Sequence, residues 1–184
     1  MSPRKVRLSA AISLDGLIAG PNGEYDWIPD DPEIDMMALF KDFDTVLMGR
    51  KSYEAAKKQG HLGMYEMPVY VISSSLKPEE HPGVTVARDP AALVRQLRTQ
   101  PGKDLWLFGG GELFKSFLAL DLVDEMDIAV MPVLLGNGIP LLPAGAPTRK
   151  LTVLRHRVYP KSGTALFTYR IEQGAGNAAT VSGT

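Results

Sequence analysis

The stretch that most constrains the fold is LWLFGGGELFKSFL, residues 105–118. Leu105, Trp106, Leu107 and Phe108 form a short apolar run that ends on Gly109, Gly110 and Gly111. A run of this kind bounded by glycine predicts a strand buried on both faces. Leu113, Phe114, Phe117 and Leu118 then recur at helical spacing, so the unit is strand, tight turn, helix. Glycine admits positive φ, and without a Cβ it lets a ligand approach the backbone. The helix start beyond it offers N–H groups and the positive end of a dipole, which suits phosphate. The competing view is an ordinary βα corner in which glycine only makes the turn. The Rossmann fingerprint does not fit. Its third glycine falls on Phe114, the turn comes late in the chain, and no acid ends the next strand.

Around this unit the pattern alternates strands and helices. Strands are expected at 6–14, 45–48, 68–72, 84–87 and 126–135, with hairpin arms at 151–159 and 163–172 around Pro160-Lys161-Ser162. Asp31-Pro32 reads as N-cap and first turn of a helix whose apolar face is Met36, Met37, Phe40 and Phe43. A second helix follows Gly49 to about Lys58, and Asp89-Pro90 caps a third with Leu93, Val94 and Leu97 turned inward. The stretch 19–32 reads as a long irregular loop containing Trp27. This order predicts an α/β three-layer sandwich: a mostly parallel central sheet, helices on both faces, and a C-terminal antiparallel hairpin. One domain is expected over 1–172, with a flexible tail at 173–184.

Ligands of such sheets lie at the carboxyl ends of the strands. Those ends are Asp15-Gly16, Gly49-Arg50-Lys51-Ser52, Ser73-Ser74-Ser75, Gly109-Gly110-Gly111 and Gly136-Asn137-Gly138. Glycines, hydroxyls and two cations collect on one rim. Arg50 and Lys51 can pair with phosphate, and Ser52, Ser73 and Ser74 can donate to it. One phosphate near Arg50 and Ser73, with a pyrophosphate at the triple glycine, describes NADPH. Taken singly, these residues also read as solvated helix-start charge and turn chemistry.

Other chemistry is thinly represented. The 184 residues contain no cysteine, which excludes disulfides, a thiolate nucleophile and cysteine-bound metal. Basic and acidic residues nearly balance, 20 against 21, so no nucleic-acid footprint or basic membrane face is expected. No stretch approaches the ~20 apolar residues of a membrane span, and a cytoplasmic protein is expected. His61, His81 and His156 lack ligand spacing, and no metal site is expected. Ser74 and Lys77 match S-x-x-K, a short pattern that recurs at Ser2 and Lys5. Asp30, Asp31, Glu33 and Asp35 crowd a helix start, where capping accounts for them, unless one turns into the cleft beside Trp27.

With these residues in place, residues 5–172 resemble the dihydrofolate reductase-like fold. Within it they are most similar to stand-alone relatives of the reductase domain of the bifunctional riboflavin-biosynthesis protein. The matching segments are residues 13–19, Asp26-Trp27, 48–54, 71–74, 108–111 and 132–138, in that order. The resemblance implies NADPH held by Gly49, Arg50, Lys51, Ser52, Ser73 and Ser74 on its adenosine side. It implies pyrophosphate at Gly109, Gly110, Gly111, Glu112 and Leu113, with Gly109-Gly110 a cis peptide. Ala11, Ile18 and Ala19 would border the nicotinamide. The implied reaction is hydride transfer to a C=N or C=O centre of a small heterocyclic or ribosylaminopyrimidinone-type substrate. Glu33, Asp31 and Trp27 are the candidate catalytic residues, and a homodimer through a sheet edge or the hairpin is implied.

The departures from that pattern bear on the substrate. Lys57-Lys58-Gln59-Gly60 lacks the arginine with which folate reductases clamp a glutamate tail, and Ala129 stands where they carry a pterin-binding threonine. Glu112 stands where many relatives place a cation. A folate substrate is therefore disfavoured, and a zinc deaminase half is excluded by the lack of cysteine. A nucleotide-binding module without turnover and a dihydrofolate reductase remain the alternatives.

Overall fold

The computed structural model describes residues 3–35, 38, 40–62 and 66–174. Along them run β1 (Val6–Ser13), β2 (Leu17–Ala19), β3 (Phe43–Gly49), α1 (Arg50–Lys58), β4 (Val69–Ile72), β5 (Thr85–Ala87), α2 (Pro90–Arg98), β6 (Asp104–Gly109), α3 (Gly111–Ala119), β7 (Glu125–Met131), β8 (Ile139–Pro140), β9 (Leu151–Val158) and β10 (Ala165–Ile171). Eight strands form one sheet in the order β5-β4-β3-β6-β1-β7-β10-β9, and β2 pairs with β8 separately. The first six of that order are parallel, while β10 runs antiparallel to both β7 and β9. The expected mostly parallel sheet with a C-terminal hairpin is therefore what forms.

Strand periodicity divides the core between two faces. Leu105 and Leu107 of β6 point with Val6 and Leu8 of β1 toward α2 and α3, where Leu97 and Phe117 are fully buried. Trp106 points the other way and joins Val46, Met48, Val71 and Tyr53 of α1. Phe43 belongs to this second cluster although it precedes Leu47 by an even number. The β3–β6 register slips between Phe43 and Thr45, which restores its face.

Several boundaries differ from expectation. Asp31 caps a turn at 32–34 by accepting the Glu33 amide at 3.0 Å; it does not open a helix. The Ala38 amide is instead taken by Asp35 Oδ1 at 2.9 Å, ahead of helical Phe40. Phe43 opens β3 and is not on that helix, while Met36 and Met37 lie outside the described residues. The strand expected at 126–135 ends at Met131, and the loop expected at 19–32 is preceded by β2. Most of the expected tail also lies outside the described residues. Among the described residues no helix is long and apolar enough to cross a membrane.

Candidate active site: two cavities on either side of one strand

The carboxyl ends of β3 and β6 lie side by side, with Met48 in register with Gly109. Each strand turns at once into a helix through glycine, Gly49 before α1 and Gly110 before α3, and neither helix has a side-chain cap. By contrast α2, which follows β5, is capped by Asp89, whose Oδ1 accepts the Ala91 and Ala92 amides at 2.9 and 3.0 Å. The rim therefore presents two adjacent helix starts whose first N–H groups find no partner within their own helices.

The three glycines have different jobs. Gly109 takes φ of 111°, and a Cβ there would meet nothing within 4 Å. Gly110 would bring a Cβ within 3.3 Å of Ser52 Oγ, and the Gly109-Gly110 peptide is cis. A Cβ on Gly111 would strike the carbonyl oxygens of Pro140 and Leu141, both at 2.9 Å. Gly109 thus leaves room, Gly110 sits close against Ser52, and Gly111 is needed for packing.

Next to these helix starts, Arg50 Nη1 donates to Ser75 Oγ at 3.0 Å from an exposed position, with Glu54 3.8 Å from its Nε. Lys51 and Ser74 are exposed and Ser52 half-buried. Ser73 is buried, and its Oγ accepts the Ser75 and Leu76 amides at 3.2 and 3.1 Å, so this hydroxyl shapes the turn after β4. Arg88 fixes the same turn from the end of β5 by donating to the Ser73 and Leu76 carbonyls, both at 2.5 Å. Sequence reasoning missed Arg88 and gave Ser75 no separate role. Lys77 donates to Glu80 at 2.9 Å, which occupies the cation of the S-x-x-K pattern.

The glycine rim opens into a cavity of about 340 Å³ bounded by Ala11, Ile18, Phe108, Gly109, Gly110 and Leu141. Here β2 and β8 form the far bank. Asp15 ties together the two loops that carry that bank by accepting the Leu135 and Gly136 amides at 3.1 and 2.7 Å. The Ser13 hydroxyl and these two amides pull the Asp15 carboxyl down to about 2. Gly138 allows the bank to close, since a Cβ there would lie 2.2 Å from the Ala19 carbonyl oxygen.

A second cavity of about 310 Å³ lies beyond β1, among Ile28, Ile34, Phe40, Trp106, Ala129, Met131 and Leu166. Ser9, Ala10, Ala11 and Ile28 line both cavities. Ser9 was missed in sequence, although Arg7, Ser9, Ala11 and Ser13 alternate along β1 as its small and polar side.

Of the acids, Asp31 and Asp30 line the second cavity, and Glu33 is absent from its lining. Asp31 is 5 % exposed, and its Oδ2 is buried without a hydrogen-bond partner. The nearby Ser162 hydroxyl donates to Thr164 at 2.9 Å in this geometry. Turned toward Asp31, that hydroxyl, with the Glu33 amide and the Lys161 charge, holds the carboxyl below the ordinary carboxylate range. Glu33 sits half-exposed on the rim, 4.0 Å from Arg157 Nη2. Trp27 is half-buried and braces its own loop, its Nε1 donating to the Glu24 carbonyl at 3.1 Å.

Asp127, also missed, is buried in the cavity wall between Arg7 Nη2 and Thr168 Oγ1, both at 2.6 Å. Arg7 also meets Asp42 at 3.2 Å and Asp104 at 3.3 Å. Burial works against its charge, but Asp127 foremost and then Asp42 and Asp104 outweigh it and hold the guanidinium firmly protonated.

A parallel sheet with an antiparallel hairpin, and a glycine-rimmed cleft at its strand ends, define a dihydrofolate reductase-like α/β protein. A dihydrofolate reductase from Enterococcus faecalis, solved with NADP(H), shares the fold at TM-score 0.65 and 14% identity, over 92% of this chain and 97% of that one. The chain matches the RibD C-terminal domain over residues 4–164 and belongs to that family. It is similar to two Bacillus subtilis proteins named as uncharacterized: YwjB, at 38% identity over 75% of this chain and 82% of that one, and YyaP, at 33% over 77% and 81%. A solved putative riboflavin biosynthesis protein from Shewanella sp. PV-4 aligns at TM-score 0.79 and 27% identity, over 92% of this chain and 99% of that one.

Proposed function

We propose that the protein is an NADPH-dependent reductase that delivers hydride to a C=N or C=O carbon of a small heterocycle, of the ribosylaminopyrimidinone kind. The observation that carries this is the shared wall: Ser9, Ala10, Ala11 and Ile28 belong to both cavities, so ligands seated in the two meet across β1. Family membership supports the chemistry. A Thermotoga maritima member of the same fold, of which this chain spans 57%, carries the name deaminase/5-amino-6-(5-phosphoribosylamino)uracil reductase.

The residues fit the coenzyme. Arg50, Lys51, Ser52, Ser73 and Ser74, with Ser75, would hold the phosphate on the adenosine ribose by charge and hydroxyl donation. The open backbone at Gly109 and Gly110 and the amides of Gly111, Glu112 and Leu113 would take the pyrophosphate. Ala11, Ile18 and Ala19 would flank the nicotinamide, whose C4 supplies a hydride when the coenzyme is bound. The apolar walls exclude water from the reacting centre. Asp31, ionised at neutral pH, accepts N–H bonds from the substrate and orients it; in that state it has no proton to give, so the proton that completes the reduction at nitrogen or oxygen comes from solvent at the cavity mouth. Glu33 is not among the residues lining the second cavity, and Trp27 keeps the loop carrying Ile28 in place.

A titration with NADPH and NADH tests the coenzyme assignment. Arg50→Ala should weaken NADPH by about tenfold or more while NADH changes little, as removal of a charge-assisted phosphate contact predicts. Equal losses for both would overturn the placement of the ribose phosphate at Arg50.

A further inference from the structure

The two halves of the cleft carry opposite charge. On the coenzyme side Arg50 and Lys51 are exposed at the rim. Among the described residues no lysine or arginine lines the substrate cavity, whereas Asp30, Asp31 and Asp127 do. The residues outside the description include no lysine or arginine either. Of the cations outside the lining, Lys161 adds its charge toward Asp31, and two others are engaged with acids. Arg7 lies against Asp127 with Asp42 and Asp104 around it. Arg157 stands 4.0 Å from Glu33 and 4.4 Å over the ring of Tyr159. Asp31 is less fully matched: it lines the apolar chamber, and its buried Oδ2 accepts no hydrogen bond while the Ser162 hydroxyl donates to Thr164. An unmatched buried carboxylate oxygen calls for an N–H donor from a ligand and repels an anion.

From this charge distribution we infer that the cavity selects an unphosphorylated, neutral or cationic nitrogen heterocycle that offers N–H to Asp31, and discriminates against its phosphate ester. This rests on the reductase reading and narrows its substrate class. A phosphorylated ribosylaminopyrimidinone would bring a dianion to a chamber lined by Asp30 and Asp31 and by no cation, and like-charge juxtaposition is a strong means of rejection. The apolar remainder of the chamber, Phe40, Trp106, Met131 and Leu166 among it, accepts a flat ring.

Trp106 makes the test direct. The chain has two tryptophans, so Trp27→Phe leaves Trp106 as the sole one, and it lines the cavity. Its emission is followed while 5-amino-6-(ribosylamino)uracil and the same compound as its 5-phosphate are titrated, and calorimetry on the unaltered chain repeats the comparison. The unphosphorylated compound should bind at least about tenfold more tightly, and lower salt should widen the gap. Asp31→Asn should narrow it. A phosphate ester that binds equally or better, and loses affinity on Arg157→Gln or Lys161→Gln, overturns the inference. So does silence of Trp106 toward both compounds while NADPH still binds, which leaves the coenzyme assignment standing. Failure to bind NADPH as well would mark the reductase reading itself as wrong.

Discussion

A Cβ on Gly49 would lie 3.9 Å from the backbone nitrogen of Gly110 and 3.5 Å from Cβ of Leu113. The starts of α1 and α3 therefore lie close together, with Gly49 and Gly110 between Ser52 and Leu113. A methyl at 49 meets ordinary van der Waals distances, whereas one at 111 meets two carbonyl oxygens at 2.9 Å. Gly49→Ala should leave thermal stability nearly unchanged while weakening NADPH. Gly111→Ala should cost about 1–3 kcal/mol, the usual range for overpacking. Thermal unfolding beside a coenzyme titration separates the two, and a Gly111→Ala protein as stable as the parent would contradict the packing role.

Asp15 sets an acid limit on the far bank. Its folded value of about 2 is below the ordinary 3.8, so its stabilisation is complete above about 4 and is lost as pH falls toward 2. Asp15→Asn should flatten the acid-unfolding curve in that window and leave the neutral branch parallel. An identical acid limb in both proteins would show that the loop contact carries no linkage.

The Arg7–Asp127 pair should respond asymmetrically. Arg7→Leu strands Asp127, buried, near Asp42, Asp104 and Glu125, and should cost about 3–5 kcal/mol. Asp127→Asn leaves Arg7 with its other acids and keeps an acceptor for Thr168; about 1–2 kcal/mol is expected. Denaturant midpoints decide the order, and a reversed order would refute the assignment of Arg7 as the hub.

Asp31 predicts a binding profile in pH. Because its carboxyl is held below the ordinary range, heterocycle affinity should stay level from neutral down through about 3.9, the ordinary aspartate value, and fall only below that. Asp31→Asn should be weaker throughout and lack the acid fall. Affinity that rises on acidification would mean the protonated acid is the binding form.

Much of this architecture was legible locally. The glycine run after residues 105–108, the Asp89 cap and the hairpin arms are short-range signals, and each lies where its pattern puts it. The pair β2 and β8 was not legible, since strands of three and two residues have no period and their partners are over 100 residues apart. Asp31-Pro32 has the chemistry of a helix start but serves a turn, in which Asp31 accepts the Glu33 and Ile34 amides. Arg7 and Asp127 each interrupt an apolar strand in sequence. That they neutralise one another depends on β1 and β7 being neighbours, which no local pattern reveals.

Because β1 furnishes wall to both chambers, its inward residues cannot be retuned for one occupant without disturbing the other. Diversification of what this scaffold accepts is thus channelled to the opposite shore, Ile34 and Phe40 and the β7–β10 side. Redesign for a new acceptor should begin at Ile34, Ala129 and Leu166 and leave Ser9 and Ala11 alone.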